Sequence, residues 1–342
     1  PSKIMVLDDI LALAIQKKSY DIHLAIHKRP CFRVDGKIME QEEFPVLEDE
    51  ELKVAILTPL SEHQKQELET ERELAFVYSL PDRHRFRVNV FWDQGRLALA
   101  ARAIPSSIPS MQEVALPQVA YDFTALDKGL VILTGQTGNG KSTSLAAMID
   151  HINQTRAAHI ITFEDPIEFV FKSQSSIVRQ RELGHDFNSF EKSLKFVVRH
   201  DPNVIMVGEM RDPETIQTTI TLAETGHLVF TTLHTFDAAQ TIYRIIDYFP
   251  SDQQDQIRLQ LALTLRGIIS QLLLPKAGGG RIAAREILVN TPAIANLIRE
   301  NKIEHIPSIL QTGHDHGMVT MDQCLQDLLA KKQITEETAR AH

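Results

Sequence analysis

The chain has 342 residues, 43% of them hydrophobic, with 36 Lys and Arg against 45 Asp and Glu for a formal net charge of -9. That length holds two or three domains with buried cores; no apolar run approaches the ~20 residues of a membrane span, and without a signal-peptide h-region the expectation is a cytosolic protein. The only adjacent lysines are Lys17-Lys18 and Lys331-Lys332, which argues against a basic nucleic-acid surface, and two distant cysteines, Cys31 and Cys324, support neither a disulfide framework nor a cysteine zinc site.

The stretch IMVLDDILALAIQKK (4–18) repeats apolar residues at helical spacing, and DIHLAI and CFRVDGKIM alternate as strands around a two-residue turn at Asp35-Gly36. One helical stretch near 47–70 precedes the strands FVYSL, RHRFRVNVF and RLALAARAI. In RHRFRVN, Arg83, Arg85 and Arg87 share one face, with Phe86, Val88 and Val90 on the other. Arg102, at the end of the next strand, joins them; the row either meets an anion or is a solvated face packed by arginine stems. This is an α+β domain of residues 1–103, followed by a linker at 104–117, IPSSIPSMQEVALP, whose prolines interrupt regular structure.

Strands and helices then alternate: VILTG, HIITFE, VIMVGEM and LVFTTL are short β-branched runs next to helical segments, the pattern of a mostly parallel sheet covered on both faces. The first runs into GQTGNGKST, Gly135, Gln136, Thr137, Gly138, Asn139, Gly140, Lys141, Ser142 and Thr143, which matches G-x-x-x-x-G-K-[ST] between a strand and a helix. Its glycines let successive N–H groups cradle phosphate oxygens at a helix N-terminus. Lys141 is placed for the β- and γ-phosphates of a nucleoside triphosphate and Ser142 for Mg²⁺. Glu164, Asp165 and Glu168 follow HIITF; Glu164 either holds the water shell of Mg²⁺ or, with its neighbours, serves the turn. After VIMV a conventional Walker B strand would end in Asp, but Gly208 stands there and Glu209 follows; Glu209 reads as general base, or as a surface carboxylate paired with Arg211. His227 and His234 bracket LVFTTL about 23 Å apart and cannot share a metal ion; one of them touches the γ-phosphate or a neighbouring subunit, or each is a satisfied strand-end histidine. His314 and His316 form a lone H-x-H in a glycine-bounded turn, more often a polar loop than a metal pair. From about 252 the chain reads as mainly helical.

GQTGNGKST, ITFEDPIEF, VGEMRDPETI and AETGHLVFTTLHT, in this order, resemble the Walker A, Asp box, Walker B and His box of the secretion ATPase superfamily. More narrowly, SYDIHL, FRVDG, RFRVNVF, ARAIP, GGGR and AIANLIRE resemble the type IV pilus retraction ATPases, the PilT-like twitching-motility motors. The resemblance spans nearly the whole chain. It implies an α/β protein: an N-terminal α+β (PAS-like) domain joined to a RecA-like P-loop NTPase domain, 118–342, with a helical C-terminal part. It further implies a homo-hexameric ATP- and Mg²⁺-dependent motor at the cytoplasmic face of the inner membrane. The partners implied are a pilus platform protein and a paralogous pilus ATPase, with no nucleic acid. Glu209, Glu164 and His234 fall on catalytic positions, and Arg87 and Arg102 on positions that approach the nucleotide across a subunit interface, as arginine fingers do. In the family, Gly before Glu is the normal Walker B ending. The lack of a four-cysteine zinc module favours retraction over assembly. Ala295 stands where the family octapeptide has arginine, so an accessory retraction ATPase or an assembly or secretion ATPase is the alternative reading. A nucleic-acid translocase shares the P-loop, but 6% aromatic residues and the acidic balance give little sign of its binding channel.

Overall fold

The computed structural model describes residues 7–17, 19–34, 37–82, 84–105 and 107–341; the turn expected at Asp35-Gly36 and the arginine at Arg83 lie outside them. The chain divides into two units, Pro1–Ser107 and Ile108–His342. Of the stretch 104–117, the residues from Ile108 onward belong to the second unit, where Met111 and Leu116 are buried.

The first unit runs α1 (Leu7–Gln16), β1 (Asp21–Leu24), β2 (Cys31–Val34), β3 (Lys37–Glu40), α2 (Asp49–Leu57), α3 (Glu62–Glu71), β4 (Glu73–Ser79), β5 (Arg85–Asp93) and β6 (Arg96–Ile104). Its six strands form one sheet in the order β3-β2-β1-β6-β5-β4, every described pair antiparallel. Helix α1 buries Leu7, Ile10, Leu11 and Ala14, the i, i+3, i+4, i+7 face of its sequence, against Ile22, Phe32, Phe86, Val88 and Val90 of the sheet. The single helix expected near 47–70 is two. Pro59 falls between them, and Ser61 opens α3 with a reciprocal capping box to Gln64.

The second unit runs α4 (Gln118–Thr124), β7 (Gly129–Thr134), α5 (Lys141–Thr155), β8 (His159–Glu164), β9 (Ile177–Glu182), α6 (Phe190–Val197), β10 (Val204–Val207), α7 (Pro213–Glu224), β11 (Leu228–Leu233), α8 (Ala238–Asp247) and α9 (Ser251–Thr264). It ends with β12 (Leu265–Pro275), β13 (Arg281–Val289), α10 (Pro292–Arg299), α11 (Ile306–Thr312), α12 (Met321–Ala330) and α13 (Glu336–Arg340). The sheet order is β13-β12-β7-β11-β10-β8-β9, parallel except for the β12–β13 hairpin. Separate apolar cores cover its two faces, one built with α4 and α5 and the other with α6 to α10. This is the sheet covered on both faces that the sequence pattern predicts.

The expectation of a helical chain from about 252 is corrected here: LRGIISQLLLP and RIAAREILV are strands. A continuous apolar run carries no period that separates a buried strand from a buried helix. Tertiary context decides for a strand, because β12 lies between β7 and β13 and pairs with both. Gly267 admits this approach, since a Cβ there would stand 2.1 Å from the Phe123 ring.

Candidate functional site

Parallel pairing gathers the carboxyl ends of β7, β11, β10 and β8 on one edge, with Thr134 opposite Leu233, Val207 opposite Thr231 and Val207 opposite Phe163. Each motif occupies the residues just past one of these ends, where open α/β sheets bind ligands. The P-loop leaves β7 at Gly135, whose φ of 138° suits glycine, and whose Cβ, if present, would lie 2.3 Å from the Gln271 carbonyl oxygen of β12. Helix α5 then starts at Lys141 behind a left-handed Gly140, so its first N–H groups face the turn. Ser142 and Thr143 sit half-buried in its first turn.

Lys141 is buried, and its ammonium donates to the carbonyls of Gly135 at 2.6 Å and Gln136 at 3.0 Å. Burial lowers its pKa from the ordinary lysine value, against the opposing pull of Glu209 and Glu168. Its Nζ also stands 3.4 Å from His234 Nδ1. An ammonium only donates, so Nδ1 accepts; the Nε2–H then points at Glu209 Oε1, 3.1 Å away. The other carboxylate oxygen of Glu209 accepts from Arg211 Nε at 2.8 Å, and Arg211 Nη1 donates to Asp165 at 2.9 Å. Lys141, His234, Glu209, Arg211 and Asp165 thus form one continuous polar chain across four strand ends. A cleft of about 540 Å³ opens beside it, lined by Gln136, Thr137, His234 and the exposed Phe236.

Gly208 has a packing reason. Its N–H donates to Phe163 O at 2.8 Å and its carbonyl accepts from Thr232 Oγ1 at 2.6 Å, and an added Cβ would meet Phe163 O at 3.1 Å. An aspartate there would press on the end of β8. Glu164 closes β8 from within: its Oε1 accepts from Thr162 Oγ1 at 2.6 Å and Gln180 Nε2 at 3.0 Å, and burial pushes its carboxyl up to about 7. No described hydrogen bond joins Glu164 to the P-loop. Glu168 is exposed in the following turn.

His227 stands at the opposite end of β11, its Nδ1 2.9 Å from the Leu222 carbonyl in the last turn of α7. The structure does not bring it to His234. His314 and His316 lie in a short 3₁₀ turn, and no group of three or more His, Cys, Asp or Glu among the described residues is placed to hold a metal ion.

In the first unit a charged row crosses four strands: Arg33 faces Asp21, Asp21 faces Arg102, and Arg102 faces Arg87. Asp21 receives Arg102 through Nε at 2.6 Å and Nη2 at 3.2 Å, which holds its carboxyl below the ordinary range. It thereby offsets the repulsion between two arginines directly opposed.

The family model described as "Type II/IV secretion system protein" matches residues 2–279. This chain belongs to that family. Among type II/IV secretion system proteins it is 44% identical to the type IV pilus retraction ATPase PilT of Pseudomonas aeruginosa, over 98% of this chain and 97% of that relative. It is 38% identical to the type IV pilus ATPase PilU of the same organism, over 99% of this chain and 88% of the relative. The crystal structure of the pilus retraction motor PilT with bound ADP superposes with a TM-score of 0.93 at 46% identity, covering 98% of this chain and 96% of that one.

Two side chains escaped the sequence reading of this secretion-family protein. Gln271 of β12 and Arg285 of β13 are buried behind the P-loop, and Gln271 Nε2 donates to the Asn139 carbonyl at 2.6 Å. The available signal was a polar pair, Ser270-Gln271, inside an otherwise apolar run.

Proposed function

We propose that the chain is a Mg²⁺-dependent ATPase motor that powers type IV pilus retraction as a homo-hexamer. The observation that carries this reading is the Lys141–His234–Glu209 chain, which couples the phosphate-binding lysine to a carboxylate able to take a proton from water. The P-loop N–H groups and Lys141 bind the phosphates, and His234 orients Glu209 toward the attacking water. Glu164 organises the approach to the metal from the end of β8, while Arg87 and Arg102 of one copy stabilise charge on the phosphoryl group held by its neighbour. Asp165 and Arg211 fix the outer oxygen of Glu209, and Glu168 adds negative charge near Lys141. His227 anchors the far end of the same strand.

The residues fit Mg²⁺ as a substrate-borne ion. No all-protein carboxylate cage is present among the described residues, and Ser142 offers a hydroxyl in the first turn of α5, the sparse ligation Mg²⁺ accepts when phosphates and water complete its shell. When bound, it would neutralise charge on the phosphate oxygens.

No helix of the described residues is long and apolar enough to cross a membrane. On its likeness to the pilus retraction ATPases, the motor works from the cytoplasmic face of the inner membrane against a pilus platform protein, alongside a paralogous pilus ATPase. Ala295 supports a second reading, an accessory retraction ATPase, because this position packs against the α6–α10 core where retraction ATPases present arginine. Phosphate release by the purified protein, with and without DNA, together with mass by light scattering, tests the hexameric ATPase. DNA stimulation would favour a translocase. Deletion in the host separates the rest: excess surface pili without twitching mark the principal retraction motor, retained twitching an accessory one, and loss of pili an assembly ATPase.

A further inference from the structure

The P-loop rests on β12 at two points. Gly135 packs on the backbone oxygen of Gln271, and the Gln271 side chain reaches forward to Asn139, whose own Oδ1 accepts from the Leu273 N–H at 3.3 Å. In a trans peptide the C=O and the next N–H point in opposite directions. Holding the Asn139 carbonyl toward β12 therefore aims the Gly140 N–H away from it, to the side where the loop cradles phosphate. A side-chain amide has two ends of nearly equal shape, and something must choose which end faces Asn139. Two donors make the choice: Ser144 Oγ at 2.8 Å and Arg285 Nε at 2.9 Å both point at Gln271 Oε1, leaving Nε2 for Asn139. Arg285 is itself fixed by the carbonyls of Ala115 and Val114, each 2.8 Å from one of its Nη atoms, and by Ser144 Oγ at 3.3 Å. Its acceptors include no carboxylate. A guanidinium buried to 5% exposure and held only by neutral acceptors is costly as a packing element, and its placement needs a reason.

We infer that Gln271 and Arg285 are positioning residues for nucleotide binding: Arg285 sets the orientation of the Gln271 amide, and Gln271 sets the peptide between Asn139 and Gly140 in its phosphate-binding orientation. The inference rests on the P-loop holding nucleotide, as proposed above. Through Val114 and Ala115 the same bonds tie the loop to the connector that begins the second unit, so a shift of that segment is felt at the P-loop through Arg285.

The test uses the full chain, a fluorescent ADP analogue, steady-state kinetics and thermal melting. In Gln271→Glu the carboxylate still accepts from Arg285 and Ser144 but cannot donate to Asn139, so ADP affinity should fall about tenfold, the loss of one hydrogen bond to a half-buried acceptor. KM for ATP should rise by the same factor, with kcat within about threefold and Tm within about 3 °C. Gln271→Met removes the donor without adding charge, while Arg285 keeps its three other acceptors; it should lose affinity equally. Arg285→Lys, which cannot bond Gln271 and both carbonyls at once, should fall between these and the unaltered protein. ADP affinity within twofold of the unaltered protein in Gln271→Glu overturns the inference. So does a loss confined to the Glu variant, which would be charge repulsion, or kcat and Tm falling together with affinity, which would make the pair a folding element only. If the unaltered protein binds ADP but does not hydrolyse ATP, the motor reading fails while this comparison stays readable.

Discussion

Glu209→Gln tests the chemistry at its centre. In the folded protein the two carboxylate oxygens accept from two donors, His234 Nε2 at 3.1 Å and Arg211 Nε at 2.8 Å, and the side chain is 24% exposed. Glutamine keeps the shape but offers one acceptor oxygen, so one donor must turn to water. At this exposure that costs about 1 kcal/mol in the ground state, too little to unfold the domain or to change nucleotide affinity by more than a few fold. The hydrolytic step is different, because an amide cannot take the proton of the attacking water. Removing a general base slows reactions by about 10² to 10⁴, or roughly 3 to 5 kcal/mol on the barrier. Turnover at saturating Mg-ATP, measured by phosphate release, should fall by that factor, while titration with an ADP analogue changes little. A turnover within tenfold of the unaltered enzyme would remove Glu209 from the mechanism. It would leave the carboxylate as the structural partner of Arg211, a pairing the geometry also contains.

Arg102→Ala should cut turnover by at least ~10³ with ATP binding nearly intact, because the side chain is 68% exposed and its partner Asp21 keeps Arg33 at 3.4 Å. Mixed with a Lys141→Ala protein, it should regain activity at shared interfaces; no gain despite proven subunit exchange refutes action in trans. Glu164 has a folded pKa of about 7 against an ordinary 4.5, so the stability it contributes is present below pH 4.5 and lost as pH rises through about 7. That amounts to about 3 kcal/mol, and Glu164→Gln should flatten this part of the Tm-versus-pH curve; an unchanged slope would place the carboxyl in a more solvated setting. Reversing the charges of the exposed Arg299 and Glu300 leaves the buried Ile294 and Ile298 of α10 untouched, so ATPase activity should survive while twitching is lost. Equal loss of both would make α10 structural.

The strands of the first unit and the four parallel strands β7, β8, β10 and β11 were legible because each carries a period or a punctuation mark of its own. Phe86, Val88 and Val90 alternate with arginines, and all three are fully buried in β5. Chain direction from α9 into β12 was not legible, because QLALTLRGIISQLLL is predominantly apolar and a run of that kind is buried by either element. What selects the strand is a contact made more than a hundred residues away, the pairing of Leu265 to Ser270 with Leu130 to Thr134. No local pattern encodes that.

The same distinction divides the site. Lys141, Glu209 and His234 were readable because a parallel sheet converts three separate sequence positions into neighbours at one edge: Glu209 and His234 lie two and one residues past short apolar strands, and Lys141 follows β7 across the P-loop; the strand supplies the address and the polar residue after it the chemistry. Gln271 and Arg285 have no such address. Gln271 lies within β12 at the level where β7 gives way to the P-loop, since Ser270 pairs with Thr134, and Arg285 faces it across the hairpin. Their meaning depends on register between strands, and a shift of one residue would send both side chains to the opposite face. Phosphate-binding groups are thus announced by their own motif, whereas the groups that hold the motif in shape are set by pairing alone. Register is therefore the level at which nucleotide affinity can diverge among chains that share every residue of the P-loop.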